Sequence, residues 1–234
     1  MRKINLIVIH CSATRSNQTF TEKDLERAHL ERGFKGTGYH FYIRKNGALI
    51  STRPVEIAGA HAFGHNANSI GICYEGGLNE QGEPQDTRTP QQKRSLLAVI
   101  RAIHNEFPDC RICGHRDLSP DLNNDGLIEP SEWTKICPCF DATAAYAENC
   151  VPAYALNPKT HNYVALINSL NNLRINDTPQ RNAIIALSNY GKKSTPIWCL
   201  IWNTKWSEIK TPGLYLIAKL KTKKTINPDK HFLS

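Results

Sequence analysis

Three residues of the kinds that bind transition metals stand at well-separated points of the chain. His10 follows the apolar run Ile4–Ile9, His115 lies in a Gly-His-Arg-Asp segment, and Cys137 precedes Pro138. Two imidazoles and one thiolate match the count of a catalytic zinc site, in which three protein ligands leave the fourth position open. Each residue alone also has an ordinary structural explanation, since single histidines and small cysteines are common in protein cores. Together the residue types indicate metal-assisted chemistry.

A row of oxygen donors lies between His115 and Cys137. Its spacing, Asp-x-Asn-x-Asp-Gly followed six residues later by glutamate, fits every fixed position of the twelve-residue calcium-binding loop. An ordinary polar surface turn is the alternative, because Asn-Asp-Gly is turn chemistry in any protein. We predict a structural Ca²⁺ that braces this segment. Its ligands would be Asp121, Asn123, Asp125, Glu132 and the backbone carbonyl of Leu127.

The chain contains eight cysteines. In a chain of this length without an export signal, metal-binding or free-thiol roles are favoured over disulfides. Cys110 and Cys113 form a C-x-x-C pair that could join Cys137 and Cys139 in a four-cysteine zinc site. The C-x-C spacing of the second pair makes this the less favoured arrangement.

The local patterns predict an α/β fold that can bring the metal-binding residues together. Short apolar or β-branched runs predict strands that end near His10 and His115, at the sheet edge where α/β folds usually bind ligands. Thr21 and Thr89 predict the starts of two helices, and an Asn-Gly pair predicts a hairpin turn. We therefore predict a mixed central β-sheet flanked by helices over the first 150 residues.

The net charge of +8 is concentrated in the C-terminal third. Residues 1–150 contain 17 basic and 18 acidic residues, whereas residues 151–234 contain 12 and 3. This change predicts a first domain over 1–150 and a basic C-terminal extension over 151–234. The patterns do not predict a fold for the extension, and poor order is one expectation. Two apolar runs in it, Ile197–Trp202 and Leu214–Leu220, have the composition of short strands.

Three roles are open for the extension. It could be a β-rich wall-binding module, in which aromatic rings stack on sugars and lysines meet anionic polymers. It could be a nucleic-acid-binding tail, because basic residues with tryptophans can contact phosphates and bases. It could also have no function of its own, and the abrupt change of composition favours this third role.

No apolar run approaches the roughly 20 residues that a membrane-spanning helix needs. The N-terminal segment has two basic residues, but no small-residue cleavage site follows its apolar run. A first strand is therefore favoured over a signal peptide. We expect a monomer that is made in the cytoplasm.

Six ordered motifs resemble one protein family. Over Ile4–Ala145 the chain is similar to the type 2 zinc N-acetylmuramoyl-L-alanine amidases, which include phage lysozyme-like endolysins and animal peptidoglycan recognition proteins. The resemblance does not extend into residues 151–234. The motifs that carry it are Val8–Thr14, Gly38–Phe41, Gly59–Ala62, Asn68–Ile72, Gly114–Asp117 and Lys135–Pro138.

The resemblance implies that Zn²⁺ binds the two histidines and the cysteine introduced above. It also implies catalytic roles for Tyr39 and Lys135, and it places His61 near the substrate cleft. The implied reaction is hydrolysis of the amide bond between N-acetylmuramic acid and L-alanine in peptidoglycan, in cell-wall lysis of the phage or prophage type. Such an enzyme would act on the wall after release or export, and no nucleic-acid partner is expected for its amidase domain.

The residue types agree with this chemistry. Amide hydrolysis needs a nucleophilic water and stabilisation of the charge that develops on the carbonyl oxygen. Lys135 would place positive charge there, and Tyr39 would orient the water or help to move its proton. The alternative is a non-catalytic peptidoglycan-binding module, but members of that kind lack the zinc cysteine, which is present here as Cys137.

Overall fold

The computed structural model describes residues 2–124 and 128–222. Its strands are β1 (Leu6–Cys11), β2 (Thr14–Arg15), β3 (Phe41–Ile43), β4 (Leu49–Ser51), β5 (Ser69–Tyr74), β6 (Gly77–Leu78) and β7 (Arg111–Gly114). Five of them form a sheet in the order β4-β3-β5-β1-β7, and β2 pairs with β6. In the larger sheet only the β3–β4 hairpin is antiparallel. The predicted mixed sheet is confirmed.

The helices are α1 (Glu22–Glu31), α2 (Pro90–Glu106), α3 (Ala142–Tyr146), α4 (Tyr163–Asn172), α5 (Thr178–Leu187), α6 (Ile197–Asn203) and α7 (Pro212–Thr222). The predicted starts of the first two are confirmed. The side chains of Thr21 and Thr89 each accept a hydrogen bond from a backbone N–H three residues on, and each closes a capping box. None of the described helices is long and apolar enough to cross a membrane.

Strand β1 is buried along its whole length and has an apolar layer on each face. Ile7 and Ile9 pack in the core that also contains apolar residues of α2, including Leu96. Leu6 and Val8 point the other way, because successive side chains of a strand alternate between faces. His10 has the same parity as Leu6 and Val8, so alternation places it on the face opposite α2.

The parallel pairing of β1 with β7 brings two predicted metal ligands together. Ile9 lies opposite Gly114 in this register. The next residue after each of these is a histidine, His10 within β1 and His115 directly after β7, and their ring centroids lie 4.6 Å apart. Parallel strands run in the same direction, and their carboxyl ends therefore meet at one edge of the sheet.

The C-terminal third differs from the prediction. Instead of strands, Ile197–Trp202 lies in α6 and Leu214–Leu220 lies in α7. A short apolar run does not distinguish a strand from a buried helix, and the helical spacing of its buried positions decides here. The buried positions are Ile197, Trp198 and Leu200 in α6, and Gly213, Leu216 and Leu220 in α7.

Helices α4–α7 enclose a second apolar core, so the described part of the expected basic extension is a packed helical unit. This unit also contacts the end of the first 150 residues directly. Ala147, just after α3, belongs to the second core. Arg181 of α5 forms an ion pair with Glu148 at 3.0 Å. A domain boundary near residue 150 stays a prediction.

Candidate metal centre and active site

His10, His115 and Cys137 converge on one point. Their ligand atoms all lie within 4.8 Å of one another, and no other group of three or more histidine, cysteine or acidic side chains in the described ranges is so arranged. Nδ1 of His10 lies 3.8 Å from Sγ of Cys137. A tetrahedral zinc ion with normal bond lengths holds a nitrogen and a sulfur ligand about 3.6 Å apart. The donor set and its spacing therefore fit zinc.

Contacts from strands β1, β5 and β7, and from Arg116, place Cys137. The backbone N–H of Arg116 donates to the Cys137 carbonyl at 2.8 Å, and the Tyr74 hydroxyl donates to the Pro138 carbonyl at 2.7 Å. A Cβ atom at Gly114 would lie 2.5 Å from Pro138 Cδ, so only glycine allows this close approach. The sulfur itself accepts the backbone N–H of the residue after His10 at 3.3 Å.

Burial keeps the imidazoles of the site neutral. It holds the pKa of His10 well below its usual range, with smaller contributions from His61, His115 and Lys135. Burial, and then the Lys135 charge, lowers the pKa of His115 to about 4. Burial also lowers the pKa of His61 to about 3. Neutral imidazole is the form that binds metal, so His10 and His115 are already in the protonation state that a metal requires.

An open groove of about 710 Å³ is lined by two of the candidate ligands, His115 and Cys137, whereas His10 is fully buried. Tyr39, His61 and Lys135 all line it, so the structure brings every residue that the resemblance implied for the reaction to one place. The Tyr39 ring centroid lies 4.9 Å from that of His10. Burial raises the pKa of Tyr39 well above its usual value, so its hydroxyl stays protonated.

His61 has a more specific position than the sequence predicted. The residue is 8% exposed, and its Nδ1 lies 3.0 Å from Nε2 of His10. Its other nitrogen, Nε2, lies 3.4 Å from the Ser69 hydroxyl. His61 also lines the groove, and its predicted contact with substrate stays a prediction.

Two residues that support the site had no local pattern in the sequence. Buried His29 accepts the backbone N–H of Gly38 at Nδ1 over 3.0 Å, and its ring lies 5.5 Å from that of Tyr39. The Asn66 side chain accepts the backbone N–H groups of His61 and the following residue at 2.9 and 3.0 Å. Both contacts join segments that are distant or irregular, so periodicity does not reveal them.

The alternative four-cysteine zinc site is not formed in the described part of the chain. Cys113 packs with Leu6 and Val8 on one face of the sheet. Cys110 belongs to the core on the opposite face. Sγ of Cys139 instead lies 3.8 Å from Sγ of Cys11. Cys110 directly precedes β7 and Cys113 lies three residues further on, so alternation of side chains places them on opposite faces of the sheet.

The predicted calcium loop is described only in part, because Asp125 and Leu127 lie outside the described residues. Glu132 is buried, and one of its carboxylate oxygens accepts the backbone N–H groups of Leu122 and Asn123. Its other oxygen accepts the N–H of residue 129 at 2.9 Å. These hydrogen bonds join Glu132 to residues on both described sides of the segment without a metal ion. Calcium binding stays a prediction.

Comparison with known proteins identifies the family. Residues 1–138 match the family model described as N-acetylmuramoyl-L-alanine amidase. An uncharacterised protein of Haemophilus influenzae is 49% identical over 96 residues, which cover 41% of this chain and 83% of the relative. The endolysin of Enterobacteria phage K11 is 33% identical over 133 residues, covering 57% and 79% of the two chains. A solved N-acetylmuramoyl-L-alanine amidase from Clostridium intestinale is 32% identical and covers 58% of this chain and 77% of its own, with a TM-score of 0.46.

The family model covers more than half of the chain, and the chain therefore belongs to the N-acetylmuramoyl-L-alanine amidase family. It is an amidase whose substrate class is peptidoglycan. The resemblance drawn from the six sequence motifs is confirmed.

Proposed function

We propose that the protein is a zinc-dependent amidase that cleaves the bond between the lactyl group of N-acetylmuramic acid and the L-alanine of the stem peptide. The observation that carries this proposal is the convergence of His10, His115 and Cys137 beside an open groove. When bound there, zinc supplies a Lewis acid for the scissile carbonyl and lowers the pKa of a water molecule to about 7.

The chain's own residues supply the remaining functions. Lys135 is exposed at the groove and close enough to His10 and His115 to lower the pKa of both. Its charge would stabilise the negative charge that develops on the carbonyl oxygen. Tyr39 keeps its proton and would donate a hydrogen bond that orients the attacking water or the substrate.

The biological role that fits best is lysis of the cell wall, as in phage endolysins. Support comes from the similarity to the endolysin of Enterobacteria phage K11 over most of that protein. An enzyme in this role would reach the wall after release or export from the cell that makes it.

Purified peptidoglycan tests the bond and the metal together. The protein is stripped with a chelator, assayed, and assayed again after addition of stoichiometric Zn²⁺. We expect loss and recovery of activity, with release of stem peptides that carry a free L-alanine amino group. No new reducing sugar ends should appear, because their appearance would indicate cleavage of the glycan.

Two cysteine variants provide a matched comparison. Cys137→Ser removes a proposed ligand, and we expect it to lose both zinc and activity. Cys199→Ser changes an exposed thiol in α6 and should retain both. Full activity in chelated protein, or full zinc binding by Cys137→Ser, would contradict the proposal.

A further inference from the structure

The contact between His10 and His61 leaves His10 only one nitrogen for a metal. Nε2 of His10 lies 3.0 Å from Nδ1 of His61, whereas Nδ1 of His10 points toward Cys137, 3.8 Å from its sulfur. Both histidines are buried. The two ring nitrogens of His10 therefore have different partners, and Nδ1 is the one that faces the candidate ligand Cys137.

The surroundings of His61 hold its ring in a narrow slot. A Cβ atom at Gly59 would lie 2.4 Å from Cδ2 of the ring, and a Cβ at Gly71 would lie 2.5 Å from the same atom. Both distances are shorter than real contacts allow, so the ring fits only because both residues are glycine. The backbone N–H of His61 donates to the side-chain oxygen of Asn66 at 2.9 Å, which fixes the backbone at this point.

The proton positions follow from these contacts. A neutral imidazole that binds metal through Nδ1 carries its proton on Nε2. The Nε2–H of His10 then donates to Nδ1 of His61, which must be unprotonated to accept it. His61 consequently carries its own proton on Nε2, where the Ser69 hydroxyl lies 3.4 Å away and can accept it. One chain of two hydrogen bonds fixes the tautomers of both histidines.

We propose that His61 is a positioning residue that holds His10 in the orientation and tautomer required for metal binding through Nδ1. This inference rests on the proposed zinc site and adds a role for a residue that the sequence placed only near the substrate. Hydrogen-bond partners of metal-binding histidines raise ligand basicity and fix the ring, and their loss weakens metal affinity by about 10–100-fold.

Two substitutions separate the hydrogen bond from the shape of the ring. His61→Phe fills the slot with a flat ring but provides no acceptor for the His10 proton. His61→Asn places an oxygen near the former Nδ1 position and so keeps an acceptor. Ser69→Ala is a third variant that leaves the ring in place. It removes the acceptor for the His61 proton, so the tautomer of His61 is no longer fixed.

Zinc affinity of the full chain is measured by competition with a chromogenic chelator. Coordination is measured from the thiolate-to-metal absorption band of the Co²⁺-substituted protein. We expect a zinc Kd about 10–100-fold weaker in His61→Phe, with an altered Co²⁺ spectrum. His61→Asn should recover most of the affinity, and Ser69→Ala should show a smaller loss than His61→Phe.

The outcomes distinguish this inference from the proposed zinc site. A wild-type Kd and spectrum in His61→Phe would overturn the positioning role, as would a raised KM without any change in metal affinity. If His61→Phe fails to fold, unchanged affinity in Ser69→Ala together with a large loss in His61→Asn would overturn it. Failure of the zinc site itself would appear instead as tight zinc binding by Cys137→Ser.

Discussion

The backbone N–H of Gly71 donates a hydrogen bond to Nδ1 of His40 over 3.0 Å. Because Nδ1 is the acceptor, His40 is neutral and carries its proton on Nε2, which lies 3.0 Å from the Ile57 carbonyl. His40 is fully buried. It therefore supports strand β5 and has no place in the groove, although it follows Tyr39 directly in the sequence.

Protonation of His40 is expected to destabilise the metal-free protein in mild acid. The pKa of His40 is lowered to about 4, mainly by burial. The hydrogen bond to Ile57 opposes this shift, and the charges of Arg2 and Arg53 add to it. An unfolded histidine has a pKa of about 6.5 and binds its proton first as the pH falls. The contribution of His40 to stability is thus complete above about pH 6.5 and is lost as the pH falls towards 4, by at most about 3 kcal/mol.

The measurement is the free energy of unfolding in chelator from pH 7.5 to 4, for wild type and His40→Asn. Asparagine keeps an acceptor for the N–H of Gly71 but does not titrate. We expect the advantage of the wild type to shrink across this range. A difference between the two proteins that does not change with pH would contradict the prediction.

The cost in stability of a substitution at Gly71 is expected to depend on the side chain at position 61, because the two positions are packed against each other. Gly71→Ala places a Cβ against the imidazole ring, at 2.5 Å without relaxation, and overpacking of this kind typically costs about 1–3 kcal/mol. In a His61→Ala background the ring is gone, and the same substitution should cost much less. A double-mutant cycle from urea unfolding of the metal-free protein measures the coupling. Equal costs in both backgrounds would show that the slot does not constrain Gly71.

Tyr39→Phe is expected to lower kcat by about 10²–10⁴-fold while zinc content and stability stay close to those of the wild type. The reason is that Tyr39 lines the groove and its hydroxyl stays protonated. Tyr42→Phe is a matched control, because the buried Tyr42 hydroxyl donates to the Phe20 carbonyl. The control should lose about 1 kcal/mol of stability and keep its kcat. A normal kcat in Tyr39→Phe would show that the Tyr39 hydroxyl has no role in the reaction.

The sequence was sufficient to predict the mixed sheet and the residue types that form the site. Hydrophobic runs, threonine caps and the Asn-Gly turn are local features, and each predicted its element. The contact of His61 with His10 could not be predicted in this way, because it joins residues 51 positions apart. It depends on two glycines whose importance appears only when a Cβ is placed against the ring.

The C-terminal helices show a different limit. In α6 the apolar run was assigned to a strand on composition, because tryptophan and isoleucine favour strands. Its exposed residues, Cys199 and Trp202, nevertheless stand three positions apart, as on the outer side of a helix. The spacing of these residues indicates a helix, but a run of this length is too short for periodicity to outweigh composition.

Glu132 is expected to stabilise its loop without any metal. Its two carboxylate oxygens accept hydrogen bonds from three backbone N–H groups. Glu132→Gln replaces one acceptor with a donor, which should cost about 1–3 kcal/mol in chelator. The same protein tests the calcium prediction: millimolar Ca²⁺ should raise the Tm of the stripped wild type, and less that of Glu132→Gln. An unchanged wild-type Tm would rule out calcium binding at this loop.

The helical unit is expected to stabilise the amidase part, so removal of residues 156–234 should lower its Tm. The truncation exposes Ala147, which packs in the second core, and removes the partner of the Glu148 side chain. The measurement is thermal unfolding of the truncated and full chains under the same metal conditions. An equal Tm would show that the contacts of the helical unit with α3 do not contribute to the thermal stability of the amidase part.

Asn182 tests the same junction with a single side chain. It is fully buried; its oxygen accepts the backbone N–H of Glu148 at 2.7 Å, and its nitrogen donates to the Ala144 carbonyl at 2.7 Å. Asn182→Ala leaves both backbone groups without a partner, which should cost about 2–4 kcal/mol, because an unsatisfied buried polar group costs about 1–3 kcal/mol. Asn172→Ala, at the exposed end of α4, should change stability by less than about 0.5 kcal/mol. If both substitutions have the same small effect in urea unfolding, the helical unit is not attached through Asn182.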